Sequence, residues 1–132
     1  MKKVLVFGTF DILHPGHLNF LKQAKEYGDY LVVVVGRDET VKKVKDRYPR
    51  HSEKERLQNI KKVNLVNEAK LGYLDDPYKI IRKFKPDVIC LGYDQTFFVK
   101  DLKKKLKEFD MNTKVVRLKP YQPERYKSSL LK

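Results

Sequence analysis

The sequence predicts an α/β protein: a three-layer α/β/α sandwich around a parallel, doubly wound sheet of about five strands. Three observations carry this. Short apolar, β-branched runs recur along the whole chain, and stretches with helically spaced apolar residues separate them. The runs "VLVF" and "YLVVVV" are apolar at every position. That is the pattern of strands covered on both faces, as in a parallel sheet with helices on each side.

Residues 3 to 7 make the first strand. "MKKVLVFGTF" mimics the start of a signal peptide, but its apolar stretch, Val4 to Phe7, is well short of the ~7 to 15 residues such a region needs. "GHLNFLKQAKEYG" buries Leu18, Leu21 and Ala24 at helical spacing and stops at Gly28. Residues 30 to 35 form the second strand, and "VKKVKDR" beyond it reads as a basic loop. "HSEKERLQNIKKV" opens with a capping box, in which Ser52 caps and Glu55 reaches back to the Ser52 amide. Residues 67 to 72 are a weaker strand. "DDPYKIIRKFKP" is a helix with Asp76 as cap and Pro77 at its first position, ending before Pro86. Residues 86 to 92 and 113 to 118 repeat the buried-strand pattern. Between them "TFFVKDLKKKLKEF" places Phe98, Leu102, Leu106 and Phe109 on one stripe. Residues 119 to 132 read as an extended tail ending in the start of a helix, and residues 1 to 132 as one domain.

The single cysteine, Cys90, excludes a disulfide within the chain and suits a reducing cytoplasm. Set in "DVICLGY", it reads as a core residue. No apolar run approaches the ~20 residues of a membrane span, and no metal site is expected from His14, His17 and one thiol. The net charge of +13 points to an anionic partner. The basic excess is strongest from Lys100 to Lys132, with 11 basic and 4 acidic residues, and reads there as a solvated helix face. Nucleic acid is not expected, since no recognition module or aromatic-interleaved basic stripe is present.

The chemistry concentrates in "GTFDILHPGH", residues 8 to 17, between the first strand and the first helix. In an open α/β sheet this carboxyl edge is where ligands bind. Gly8 admits a ligand to the backbone, Thr9 offers a hydroxyl and an amide, and Gly16 and His17 open the helix. The first-turn amides and the helix dipole favour an anion there. His14 and His17, straddling a glycine, can converge on one phosphate; alternatively one caps the helix and the other packs.

This block resembles the HxGH signature of small nucleotidylyltransferases, a Rossmann-like family that includes glycerol-3-phosphate cytidylyltransferase and the archaeal FAD synthases. "LVVVVGRDETVKK", "HSEKERLQ" and "LGYDQT" extend the resemblance over nearly the whole chain. The resemblance implies transfer of a nucleoside monophosphate from an NTP to a phosphate-bearing acceptor, with release of pyrophosphate. It implies that His14 and His17 contact the NTP phosphates, with Gly8, Thr9, Phe10 and Gly16 lining the same pocket. Lys45 would serve both catalysis and acceptor binding, and Lys42 the acceptor. Asp11 stands between two readings, an acceptor contact and a structural carboxylate bonding loop amides. Arg56 matches a family arginine at the nucleotide, and Gly92 and Asp94 sit where the family recognises base and ribose. Ser128 and Ser129 stand in for a serine/threonine motif that relatives follow with a longer helix. Mg²⁺ would be held mainly by the NTP phosphates. A homodimer is implied, with Phe97, Phe98, Tyr121 and Tyr126 as candidate interface residues.

For the substrates, ATP and FMN are favoured over CTP and glycerol 3-phosphate. The cytidylyltransferases carry a tryptophan after strand four and a threonine-rich end, whereas this chain has no tryptophan, reads "LGYDQTFF" and ends "YKSSLLK". Tyr73, Tyr93, Phe97 and Phe98 could form the aromatic shelf that an isoalloxazine ring needs. A different class, a non-catalytic nucleotide- or RNA-binding module, is the competing reading.

Overall fold

Alternating apolar runs and amphipathic stretches fold into a five-stranded parallel sheet in the order β3-β2-β1-β4-β5. The structure is a computed structural model describing residues 1–93, 95 and 99–120. The strands are β1 (Lys3–Gly8), β2 (Tyr30–Val35), β3 (Glu68–Leu71), β4 (Val88–Leu91) and β5 (Lys114–Arg117). The helices are α1 (Pro15–Lys25), α2 (Asp38–Lys45), α3 (Glu53–Lys61), α4 (Lys79–Phe84) and α5 (Leu102–Glu108), the last preceded by a 3-10 turn at Val99–Asp101. The strand order reverses between β1 and its neighbours β2 and β4. Such a reversal opens a crevice at the carboxyl edge, because the connections leave β1 and β4 toward opposite faces.

Side chains alternate across each strand, so the sheet feeds two cores. One holds Val4, Val6, Leu31, Val33, Val35, Val88 and Cys90 against Leu21 and Ala24 of α1 and Ile60 of α3. The other holds Leu5, Phe7, Val32, Val34, Ile89 and Leu91 against Ile80, Ile81 and Phe84 of α4 and Leu102 and Leu106 of α5. Helices thus cover both faces and make three layers. Each such aliphatic side chain contributes about 1.5–3 kcal/mol by leaving water. Cys90 is a core residue whose burial pushes its thiol up to about 12.

Several local expectations change. Leu18 is 43% exposed, because α1 turns only Leu21 and Ala24 fully inward. The residues expected as a basic loop form α2, whose first turn carries Asp38 and Glu39 and last turn Lys42, Lys43 and Lys45. Charges of these signs at these ends complement the helix dipole, which supports a helix despite its single buried residue, Val41. The capping box of α3 is half formed: Ser52 Oγ accepts from the Glu55 amide, while the Glu55 carboxylate turns to His51 Nδ1 and the Ser52 hydroxyl. Helix α4 starts at Lys79, two residues after Pro77, because Asp76 caps a turn by accepting from the Tyr78 amide. β5 is an edge strand with Lys114 and Arg117 exposed, and so is covered on fewer sides than its sequence suggested. Asp94, Phe97, Phe98, Tyr121, Tyr126, Ser128 and Ser129 lie outside the described residues, as does the tail beyond Pro120.

After α1 the chain squeezes past β1 at Gly28. A Cβ there would stand 2.5 Å from the Lys2 carbonyl oxygen and 2.7 Å from Val4 Cγ2. Lys2 O also accepts from the Asp29 and Tyr30 amides, so the backbone cannot retreat without loosening the entry to β2. Gly28→Ala is therefore expected to cost about 1–3 kcal/mol by overpacking. Chemical denaturation of the two proteins checks this.

Candidate active site

At the carboxyl edge of the sheet lies a cavity of about 880 Å³, walled by the turn after β1, the start of α1, helix α2 and the ends of β3 and β4. The β1 turn dominates it. Phe10 takes a left-handed backbone (φ 51°), and its ring folds back over Gly8, where any Cβ would meet it at 2.5 Å. A left-handed backbone on a bulky residue costs about 1–2 kcal/mol, which burial of the ring, 4% exposed, offsets. The same ring meets His17 edge-on, with centroids 5.5 Å apart.

His14 is the N-cap of α1. Its Nδ1 accepts from the Gly16 amide at 3.0 Å, a fit that a Cβ on Gly16 would obstruct at 2.8 Å from the ring. A nitrogen that accepts carries no proton, so the neutral ring holds its proton on Nε2, as a donor. His14 stacks on His17 at 3.9 Å between centroids and 22° between planes. The two alternatives for the pair merge here: His14 caps, His17 packs, and both rings line the cavity.

His17 Nδ1 is buried with no hydrogen-bond partner among the described residues. Burial first, then the neighbouring His14, lowers the His17 pKa to about 4; the Ile12 carbonyl opposes this and Lys45 adds to it. In an empty site at neutral pH His17 is uncharged. An entering anion would reverse the balance that keeps it so.

A buried network sets the shape of the opposite wall. Arg56 is wholly buried, and it donates from Nη1 to the Thr9 carbonyl (2.9 Å), from Nε to the His51 carbonyl (3.1 Å) and from Nη2 to Asp38 Oδ1 (2.7 Å). It therefore lies behind the cavity wall, and the expected direct contact with nucleotide gives way to positioning of the β1 turn. Asp38 and Glu53, the first residues of α2 and α3, cap each other's amides at 3.3 and 2.9 Å. Arg37 ties Glu53 (2.9 Å) to the Gly72 carbonyl (2.8 Å) beyond β3.

Asp11 resolves toward its structural reading. Its carboxylate accepts from the Arg50 and His51 amides at 2.8 and 2.9 Å. Slight burial works against its charge, but those two amides outweigh it and hold the carboxyl below its ordinary range.

Of the other expected residues, Gly8, Thr9, Phe10, Gly16, Lys45 and Gly92 all line the cavity. Lys42 does not line it; its amine reaches Asp46 and lies over the Tyr48 ring. Three cavity residues that the motifs did not single out are Arg47, Tyr48 and Arg50. They follow the α2 lysines in sequence, and the charge run extending to Arg50 was the available signal. Gln95 was also missed: it accepts from the Gly92 amide and donates to the Phe7 carbonyl, stitching β4 to β1. Among the described residues no group of three or more His, Cys, Asp or Glu side chains could hold a metal ion. No described helix is long and apolar enough to cross a membrane.

A doubly wound sheet with an imidazole pair, a helix N-terminus and a lysine converging on one cavity defines a phosphate-handling, nucleotide-binding protein. The comparison with known families is specific. The cytidylyltransferase-like family model matches residues 5–132, so this chain belongs to the cytidylyltransferase-like family and is a nucleotidyltransferase. It is 48% identical over 124 residues to the FAD synthase of Methanohalophilus mahii, covering 92% of this chain and 85% of that protein. It is 45% identical over 129 residues to the FAD synthase of Pyrococcus horikoshii, covering 96% and 87%. A solved structure from Thermoplasma volcanium, described as a lipopolysaccharide core biosynthesis protein, superposes with a TM-score of 0.87 at 41% identity, over 92% of this chain and 99% of that one. Pantoate-beta-alanine ligase of Francisella tularensis shares the fold, with a TM-score of 0.67 at 20% identity over 93% of this chain and 61% of that one.

The unliganded fold should weaken in acid through His17. The unfolded chain protonates this histidine near 6.5, the folded one only near 4. Between those values the unfolded state binds the extra proton, so stability falls as pH drops from about 6.5 to 4. At ~1.4 kcal/mol per unit, discounted for solvent at the cavity edge, the loss is on the order of 1–2 kcal/mol. Denaturant titrations at stepped pH should show a flatter profile in this window for His17→Asn.

Proposed function

We propose that this protein is an FMN adenylyltransferase: it joins FMN and ATP into FAD and releases pyrophosphate. The observation that carries the reading is one cavity holding both a phosphate-handling centre and exposed aromatic walls, Tyr73 and Tyr93 among them. The names of its relatives, FAD synthases at 40–50% identity, support it.

A phosphate oxygen of FMN attacks the α-phosphorus of ATP in line as the bond to the bridging oxygen breaks, and the electron pair leaves with pyrophosphate. The acceptor phosphate is already anionic at neutral pH, so the step requires no enzyme nucleophile and no strong base. The protein's task is to position the two phosphates and meet the charge growing on the leaving group. In this reading the Nε2–H of His14 donates to that charge from a ring whose Nδ1 is already engaged by Gly16. His17, stacked beside it, takes up a proton as the triphosphate arrives. Lys45 bridges donor and acceptor phosphates from the end of α2, while Gly8, Thr9, Phe10 and Gly16 line the path of the triphosphate. Gly92, with Asp94, would receive the base and ribose, and Ser128 and Ser129 the outer phosphates.

The donor set fits a divalent cation carried by the substrate: Asp11, the carboxylate of the β1 turn, spends both oxygens on amides. Mg²⁺ would therefore sit on the triphosphate oxygens and supply further charge neutralisation there. We place the protein in the cytoplasm as a homodimer, on the strength of its single buried thiol and of the family resemblance.

Incubation with FMN, Mg²⁺ and either ATP or CTP, followed by chromatography of the flavins, tests the reading. FAD from ATP is expected. CDP-glycerol from CTP and glycerol 3-phosphate, with no dinucleotide flavin, would replace it. His14→Ala and His17→Ala should each lower kcat about a hundredfold or more, equivalent to ~3–4 kcal/mol, with folding retained. Near-normal turnover in both would remove the pair from the chemistry. Lys45→Ala should raise KM for ATP or FMN without moving the thermal midpoint; unchanged steady-state constants would reduce Lys45 to a solvated charge.

A further inference from the structure

The cavity presents two separate apolar shelves on either side of the β1 turn. On the α2 side, Ile12, Val44 and Tyr48 all line it and are 49%, 47% and 57% exposed. On the β4 side Tyr93 lines it and is 54% exposed. Because β1 lies between β2 and β4 in the sheet, the imidazole pair and the start of α1 fall between the shelves. Exposed apolar side chains gathered at the mouth of a polar cavity call for a ligand that covers them.

The shelves differ in charge. Lys45, Arg47 and Arg50 line the cavity beside the first one. Beside the second stand Gly92 and Gln95, while the nearby Arg117 donates to the carbonyls of Gly92 and Gln95 at 2.8 and 2.9 Å. Tyr48 is also held in place: its hydroxyl donates to Glu39 Oε1 at 3.2 Å, and the Lys42 amine stands 5.8 Å from its ring centroid. A platform of three apolar side chains suits a broad ring system whose own phosphate needs cations. A lone tyrosine among amide groups suits a smaller base read along its edge.

We propose that the Ile12–Val44–Tyr48 shelf is the ring site of the acceptor, taking the isoalloxazine of FMN with its phosphate on Lys45, Arg47 and Arg50, and that Tyr93 receives the adenine of ATP. The two rings of the product then lie on opposite sides of the β1 turn, and the new phosphate–phosphate linkage forms over the histidine pair. This rests on the FMN reading above and assigns each substrate its own end of the cavity.

Quenching of FMN fluorescence by the protein reads the first shelf, and KM for ATP reads the second. A stacked ring is worth about 1–3 kcal/mol, so Tyr48→Ala should weaken FMN binding roughly tenfold or more and leave KM for ATP unchanged. Tyr48→Phe, which keeps the ring, should bind FMN like the parent. Tyr93→Ala should raise KM for ATP by a similar factor and spare FMN. If Tyr48→Ala proves unstable, Val44→Ser asks the same question from α2. A parent protein that makes FAD while Tyr48→Ala binds FMN unchanged, or while Tyr93→Ala is the variant that loses FMN, overturns the shelf assignment alone. A parent that neither binds FMN nor makes FAD overturns the function and the shelves together.

Discussion

The buried guanidinium of Arg56 joins three pieces of chain that have no other reason to meet: the turn after β1, the segment entering α3 and the first residue of α2. An exposed ion pair contributes about 0–1 kcal/mol, but removing one partner of a buried pair costs about 3–5, because the other is left uncompensated. Arg56 is wholly buried and Asp38 partly so, which puts this pair nearer the second case. The charge is retained because it directs several groups at once. Its hydrogen bond to the Thr9 carbonyl fixes the turn that holds Phe10, Asp11 and the histidine pair in place.

That turn is built from mutually dependent parts. The left-handed Phe10 needs a glycine at position 8, and its ring in turn meets His17. His14 needs a glycine at position 16, and once it caps α1 its tautomer follows from the bond it accepts. Asp11 anchors the far end by holding the Arg50 and His51 amides, which brings the segment carrying Arg47 and Tyr48 to the cavity. A site assembled this way is stiff before its ligand arrives. Preorganised donors lose little freedom when charge develops against them, and this is how a protein without a nucleophile contributes to phosphoryl transfer.

Charge follows the same division of labour. The reciprocal caps between Asp38 and Glu53 place acidic groups at the starts of α2 and α3, away from the cavity, while the basic end of α2 faces inward with Lys45. Part of the large positive charge of the chain is therefore local to the ligand edge. Much of the remainder sits on exposed helix surface, such as the lysines of α5.

By itself the sequence determined the layered α/β fold, the strands and the chemistry of the first turn. Apolar runs and helical spacing are local signals, and the motif at residues 8 to 17 packs its glycines, histidines and aspartate into one short stretch. Tertiary structure decided what depends on distant neighbours. Whether Arg56 met ligand or backbone turned on burial behind Thr9, and Asp11 turned structural only when residues 50 and 51 came within reach. Helix α2 looked like a loop because it buries a single side chain, so no apolar stripe announced it; contacts from Glu53 and Arg56 hold it. Arg47, Tyr48 and Arg50 lie between helices, in a segment without periodicity, and reach the cavity through hydrogen bonds to a residue some forty positions earlier. Local patterns record which side chains a segment will bury. Which segments share a cavity is set by the strand order and by a few long-range polar contacts, and neither is written in any one stretch of the chain.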